Sequence, residues 1–359
     1  MKKTIVHIID NFSRGGAETM LVTAIKQLSD FRNIVVVLNP ANEFGNELKC
    51  DKFYCLNLTS PAFIPLAALR LRKIILSNNV DLVHSHLFWS TVVARLGVPK
   101  KIPLVTTIHA FVATSIEYSP WRMRLIEKIT YKIRKSIIIA VAQGALFEYF
   151  AFIKIKPYKT YTLYTFVDTS VFNDARSRVS KGNTATFRII TVGNLKEQKN
   201  HLFLLEAFKE LKDENISLDI YGDGFLRESL QKVIDKSQLK VTLKGKVSDI
   251  EDYINQYNIF VMSSSYEGFS LSVLEAMALG MPLMLSDITS FREQCCDTAL
   301  YYDLSSTKDF VNKLLTLRNQ PRQMETMGNA AKKRVLENYT LNKHIQQLRT
   351  IYAETLDDC

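Results

Sequence analysis

The sequence predicts a doubly wound α/β protein, with the scheme built twice along one chain. Three observations carry this. At 359 residues the chain exceeds what one hydrophobic core usually supports, so two domains are expected. Strand-like runs alternate with helical patterns through both halves. Many of those runs are continuous β-branched stretches, as in strands of a parallel sheet covered on both faces.

In order, the first half reads as strands at 4–10, 33–39, 53–58, 81–86, 103–109, 136–142 and 161–165. The second half repeats the scheme with strands at 187–193, 217–222, 240–245, 258–264, 281–287 and 299–303, separated by helical segments such as 201–213. A polar stretch, DTSVFNDARSRVSKGNTAT, marks a boundary within 165–185. The expected domains are 1–165 and 166–340, both Rossmann-like, with 341–359 as a C-terminal helix that packs back on the first domain. Such a pair leaves a cleft between the domains, and ligands favour clefts.

Hydrophobic residues make up 47% and charged residues 23%, the balance of a globular chain. MKKTIVHIID is too short in its apolar run for a signal peptide, and no stretch of about 18 apolar residues occurs. Five cysteines, none in C-x-x-C, fit a reduced cytoplasmic chain without a metal knuckle or disulfide frame. The net charge of +10 is uneven: residues 1–165 hold 22 basic against 10 acidic residues (+12), and 166–359 hold 24 against 26 (−2). That points the first half at a polyanion or an anionic membrane surface, or it is a solvated basic face. No RNA- or DNA-binding module accompanies it, so nucleic acid is not expected as a partner.

Four loops invite chemistry. In DNFSRGGAETML (10–21), Gly15 and Gly16 let backbone approach a ligand or simply turn tightly into a helix. The spacing is not G-x-G-x-x-G and lacks a ribose-binding acid, which disfavours a nicotinamide site. Lys199 closes the loop of ITVGNLKEQKNHLFLLEAF (190–208), where an ammonium meets a phosphate or merely solvent. YGDGFLRESL (221–230) is a glycine-bearing junction, a turn or an anion cradle. SYEGFSLSVLEAMALGMP (265–282) says more. Glu267 falls in a loop, and Glu275 about one turn into the helix that follows. The amides of Phe269, Ser270 and Leu271 fall at that helix's positive end. Donors there suit a diphosphate, and the carboxylates suit hydroxyls; the plainer reading is a cap and a solvent-facing Glu.

Together these pieces resemble the retaining glycosyltransferases of family 4, the glycosyl transferases group 1, which have the GT-B fold. The resemblance covers nearly the whole chain. It rests on Gly15–Gly16, Val192-Gly193 through Lys199-Asn200, Tyr221 to Gly224, and Glu267-x7-Glu275 followed by Ala276-Met277-Ala278-x-Gly280-x-Pro282. It implies a nucleotide-diphosphate sugar as donor substrate, no cofactor and no required metal. It also implies site roles: Glu267 on the donor sugar's hydroxyls, Glu275 on the ribose, and Lys199 on the leaving diphosphate. Gly15, Gly16, Gly222 and the Gly268–Leu271 backbone (Gly268, Phe269, Ser270, Leu271) would assist, His109 would stand near the donor sugar, and backbone at Lys246–Val247 would meet the base. Asn194 stands where the family often carries Arg, so either Lys196 or Arg14 compensates or the donor is held differently. The chain contains no D-x-D for a metal.

PWRMRLIEKITYKIRKS (120–136) reads as a helix with Arg124, Lys128, Lys132 and Lys135 on one face. Ile126, Ile129 and Ile133 would pack on the sheet, and the cations would meet an anionic leaflet or solvent. Aromatic residues of 109–121 lie nearby, on the acceptor side. His84 and His86 alternate at a strand end without a third ligand nearby in sequence, so a structural or acceptor-site role is expected rather than a metal. The resulting expectation is an enzyme of cell-surface polysaccharide biosynthesis, acting on a glycan or lipid-linked acceptor. It would be cytoplasmic and peripheral on the cytoplasmic face of the membrane. The alternatives are a GT-B nucleotide-sugar 2-epimerase and a non-catalytic nucleotide-sugar-binding subunit.

Overall fold

A computed structural model describes all residues except 1, 14, 113–119, 171–185, 212, 213, 248, 249 and 359, and except the side chain of residue 251. Arg14, most of the 109–121 aromatic segment and most of the polar boundary stretch therefore lie outside the described residues. The chain divides into two compact units, Met1–Thr165 with Asn342–Cys359, and Phe166–Leu341.

The first unit holds β1 (Thr4–Ile9), α1 (Gly16–Gln27), β2 (Arg32–Val37), β3 (Lys52–Cys55), α2 (Ile64–Ser77) and β4 (Leu82–His86). There follow α3 (Phe88–Gly97), β5 (Leu104–Ile108), α4 (Trp121–Ile133), β6 (Ile137–Ala140), α5 (Gln143–Ile153) and β7 (Thr160–Thr162). The seven strands are parallel in the order β3-β2-β1-β4-β5-β6-β7. Because parallel crossovers are right-handed, the direction of each step fixes the face its helix covers. The step from β3 to β4 and those from β4 through β7 run one way, which puts α2, α3, α4 and α5 on one face. The step from β1 to β2 runs the other way and puts α1 on the opposite face. The core agrees. Val6, Ile8, Val36 and Val83 pack with Leu71, Ile75, Val93 and Ala94, whereas Ile9, Val35 and Val37 pack with Leu21, Val22 and Ile25.

The second unit begins with β8 (Phe187–Val192), α6 (His201–Glu210), β9 (Ile216–Tyr221), α7 (Arg227–Ser237), β10 (Val241–Gly245) and α8 (Glu251–Ile254). It continues with β11 (Ile259–Met262), α9 (Leu271–Ala278), β12 (Leu283–Ser286), α10 (Thr289–Cys295), β13 (Leu300–Tyr302), α11 (Thr307–Arg318) and α12 (Pro321–Asn338). Its parallel order is β10-β9-β8-β11-β12-β13. The last helix, α13 (Leu341–Asp357), belongs to the first unit from Asn342 onward: Tyr352 Oη bonds His84 Nδ1 at 2.6 Å, and Arg349 pairs with Asp30 at 2.9 Å. No helix among the described residues is long and apolar enough to cross a membrane.

The arrangement expected of 120–136 needs correction. Helix α4 ends at Ile133, so Lys135 lies beyond it. Its buried residues are Glu127, Thr130 and Tyr131, while Ile129 and Ile133 are 47% and 58% exposed; of the three isoleucines only Ile126 joins the core edge. The cause is a buried ion pair. Arg95 Nη1 donates to Glu127 Oε1 at 2.7 Å, Tyr149 Oη donates to the same oxygen, and both charged side chains are fully buried. Anchoring Glu127 inward turns the isoleucine face outward.

Candidate active site

In an open parallel sheet, ligands favour the carboxyl ends of the strands where strand order reverses. In the second unit that point lies between β8 and β11. Lys199 follows β8 at the end of a 3-10 turn, Glu197–Lys199, and Glu267 follows β11. The structure brings the two together as a largely buried ion pair, Nζ to Oε1 at 2.6 Å. Ser264 Oγ donates to the same carboxylate oxygen at 2.7 Å. Oε2 receives only a long 3.4 Å contact from Gln198 Nε2, whose shorter bond, 2.9 Å, goes to the Tyr266 carbonyl. Glu267 thus has one oxygen saturated by the protein and one with accepting capacity left.

Helix α9 starts beside this pair. Its cap residue is Ser270, and Glu275 is half-buried in its second turn. The expectation of three ligand-ready amides at Phe269, Ser270 and Leu271 is corrected at its centre. Ser270 N–H donates to Gln294 Oε1 at 3.0 Å, and Gln294 Nε2 returns a 2.8 Å bond to the Ser270 carbonyl, all buried. The N–H groups of Leu271 and Ser272, in the first helical turn, have no intrahelical acceptor by helix geometry.

The β8 and β9 loops interlock. Gly222 has φ +137°, and a Cβ there would lie 2.1 Å from the Gly193 carbonyl oxygen; one on Gly193 would press on the Lys199 stem at 3.0 Å. Glycine at both positions lets the Lys199 loop lie flat on its neighbour. Asn194 is exposed in that loop, with its carbonyl accepting from Lys196 N–H at 2.9 Å. Val247 is half-buried just past β10.

The first unit carries its own cluster at the equivalent reversal, between β1 and β4. Gly15 caps α1 and Gly16 opens it; a Cβ on Gly16 would meet nothing within 4 Å. His7 on β1 stands opposite His84 on β4, and His86 lies two residues on, facing the same side. His109 follows β5 and bonds His86, Nε2 to Nδ1, at 3.2 Å. With His344 of α13 they line a cavity under α1 and α13. Burial holds all five neutral: it lowers His7, His109 and His344 to about 4, and His84 and His86 well below their ordinary value.

The third nitrogen ligand that HSH lacked in sequence is present in space, because potential ligand atoms of His7, His84 and His86 lie within 4.8 Å of one another. Both His84 nitrogens are nonetheless occupied, by Tyr352 at 2.6 Å and Thr107 at 2.7 Å. Only His7 Nδ1 and His86 Nε2 lack partners, two nitrogens where a closed metal site needs more. Sequence reasoning had no signal for Gln294 or for the His86 contact to His109; Ser264 and Gln198 stand beside residues already singled out.

The architecture defines the class. Two parallel Rossmann-like sheets of seven and six strands, each flanked by helices, make a GT-B glycosyltransferase fold. The structure of Anabaena HepE in complex with UDP and glucose aligns with TM-score 0.83 at 16% identity, covering 97% of this chain and 99% of that one. Sucrose-phosphate synthase from Thermosynechococcus elongatus aligns with TM-score 0.84 at 16% identity over the whole of both chains.

The chain belongs to the family-4, group-1 glycosyltransferases. The model of Glycosyltransferase Family 4 matches residues 14–171, and that of Glycosyl transferases group 1 matches residues 173–334. Relatives include the N-acetyl-alpha-D-glucosaminyl L-malate synthase of Bacillus anthracis, 24% identical over 83% of this chain and 81% of its own length. The UDP-Gal:alpha-D-GlcNAc-diphosphoundecaprenol alpha-1,3-galactosyltransferase of Escherichia coli is 22% identical over 79% and 78%. The N-acetylgalactosamine-N,N'-diacetylbacillosaminyl-diphospho-undecaprenol 4-alpha-N-acetylgalactosaminyltransferase of Campylobacter jejuni is 24% identical over 91% and 93%.

Proposed function

We propose that this enzyme transfers a hexosyl group, with retention, from a nucleotide-diphosphate sugar to a glycan or lipid-linked acceptor in cell-surface polysaccharide assembly. The observation that carries the reading is the Lys199–Glu267 pair at the strand-order reversal, beside the first turn of α9. Two relatives named for diphospho-undecaprenol substrates, and a neighbour solved with UDP and glucose, support the substrate classes.

In this reading the second unit holds the donor. Glu267 Oε2 accepts from a sugar hydroxyl, Glu275 accepts from the ribose, and the backbone at Gly222 and Val247 lies along the nucleotide. The diphosphate rests against Lys199 and the amides that open α9. Charge builds on the leaving diphosphate as the anomeric C–O bond breaks, and preorganised donors at that point are usually the largest catalytic term. The acceptor oxygen bonds the anomeric carbon from the same face while its proton passes to the departing phosphate oxygen, and Lys199 with the α9 N-terminus, in place of a metal, stabilises the leaving charge. Gly15, Gly16 and His109 are the first unit's proposed share, and the cations of α4 bring the enzyme to an anionic membrane carrying the acceptor.

A screen of nucleotide sugars by thermal shift, followed by release of nucleoside diphosphate, tests this. One donor is expected to turn over, with Glu267→Ala and Lys199→Ala each lowering kcat by about 10²–10³-fold. An epimerised donor without transfer, or a thermal shift without turnover, would instead identify an epimerase or a binding subunit.

A further inference from the structure

We propose that the helical face α2–α4–α5 of the first unit is a lipid-insertion surface, with the outward stripe of α4 entering the acyl boundary of an anionic bilayer. This rests on the membrane reading above and goes beyond it, because it requires apolar side chains to enter the lipid and not only cations to adsorb.

The stripe is Trp121, Leu125, Ile129 and Ile133, spaced by four on one side of α4 and 62%, 45%, 47% and 58% exposed. It exists because the Arg95–Glu127 pair commits the opposite side of the helix to the core. The neighbouring helices add to it. On α2, Leu71 and Ile75 are buried, and the far side presents Leu66, Leu69 and Leu76 at 44%, 64% and 52% exposure. On α5, Tyr149 is buried and Phe147, half a turn away, is 67% exposed. These helices cover one sheet face in the order α2, α3, α4 and α5, each packed on the next. Isolated exposed apolar residues are ordinary, but eight collected on one helical layer mark an interaction surface.

Charge selects the occupant. Helices α2 to α5 carry eight Lys and Arg and two Glu. Arg95 and Glu127 neutralise each other inside. That leaves seven outer cations, among them Arg72, Lys73, Arg122 and Lys132, against Glu148. Cations interleaved with an apolar stripe, headed by a Trp, are the pattern of a helix lying in a membrane interface. An aqueous protein partner would match the apolar area but not so one-sided a charge.

The chain has two tryptophans, Trp89 and Trp121, and Trp89 packs against the core. A Trp89→Phe variant therefore reports on the stripe alone. It would be mixed with phosphatidylcholine vesicles with and without phosphatidylglycerol, in low and high salt, and with lipids brominated along the acyl chain. The expected result is flotation with the anionic vesicles, a blue shift of Trp121 emission, and quenching by bromines near the headgroup. The double change Leu125→Ser/Ile129→Ser alters exposed side chains only. It should weaken vesicle binding about tenfold or more, equivalent to about 1.4 kcal/mol, while donor-dependent release of nucleoside diphosphate in solution is unchanged. Flotation without blue shift or quenching, abolished by salt, would overturn insertion and leave electrostatic attachment standing. Absence of flotation would overturn both. Neither result depends on which donor the enzyme uses.

Discussion

At the scale of single residues, two buried devices decide what the first unit presents. Arg95, Glu127 and Tyr149 form a closed triad, with the Arg95 guanidinium 5.2 Å from the Tyr131 ring centroid. Removing one partner strands the other charge, so Arg95→Ala should cost about 3–5 kcal/mol, read as a lowered urea midpoint. The histidines give a second test. His7 is buried and held neutral, its value lowered to about 4 by desolvation against the opposing bond its Nε2–H donates to Asn33 Oδ1. In the unfolded chain it titrates near its ordinary 6.5. Above that pH both states are neutral; below it the unfolded chain binds the proton first, so stability falls with pH between 6.5 and about 4. For His7 alone the loss is about 3 kcal/mol. Denaturant midpoints taken from pH 7 to 4 should fall through that window, and less steeply in His7→Gln.

At the scale of elements, close backbone contacts hold the donor loops. Gly222→Ala would drive a methyl into the Gly193 carbonyl at a φ that disfavours side chains, a strain of about 1–3 kcal/mol. Displacing the Lys199 loop should also weaken donor binding, visible by calorimetry. Gln294→Ala leaves the Ser270 N–H buried without a partner, while the Ser270 carbonyl keeps the Leu274 N–H at 3.1 Å, and should cost about 1–3 kcal/mol. The strands were legible in the sequence: runs such as NIVVVLN and SIIIAVA admit little else between turn signals, and they become Arg32–Val37, which starts one residue earlier and ends two sooner, and Ile137–Ala140, trimmed at both ends. Glu267 and Lys199 were legible as separate residues. Their pairing was not, since it depends on β8 and β11 being neighbours across 68 residues of chain. The orientation of α4 was misread because isoleucine outweighs glutamate in any hydrophobic pattern, and only the buried guanidinium of Arg95 reverses the balance.

At the scale of the molecule, the chain passes between its units twice. It enters the second after Thr165 and leaves it at Leu341. Those crossings run side by side: Val167 N–H bonds the Tyr339 carbonyl at 2.9 Å, and Leu341 N–H bonds the Val167 carbonyl at 3.1 Å. Between them lies a whole sheet, so the second unit is an insertion into the first. The order of biosynthesis follows from this. The polypeptide emerging from a ribosome can finish the later, inserted half while the earlier half still waits for α13 to cover His84. Until residues 342–357 are translated, that nascent half has only α1 over its histidine-bearing sheet face, and His84 lacks its bond to Tyr352.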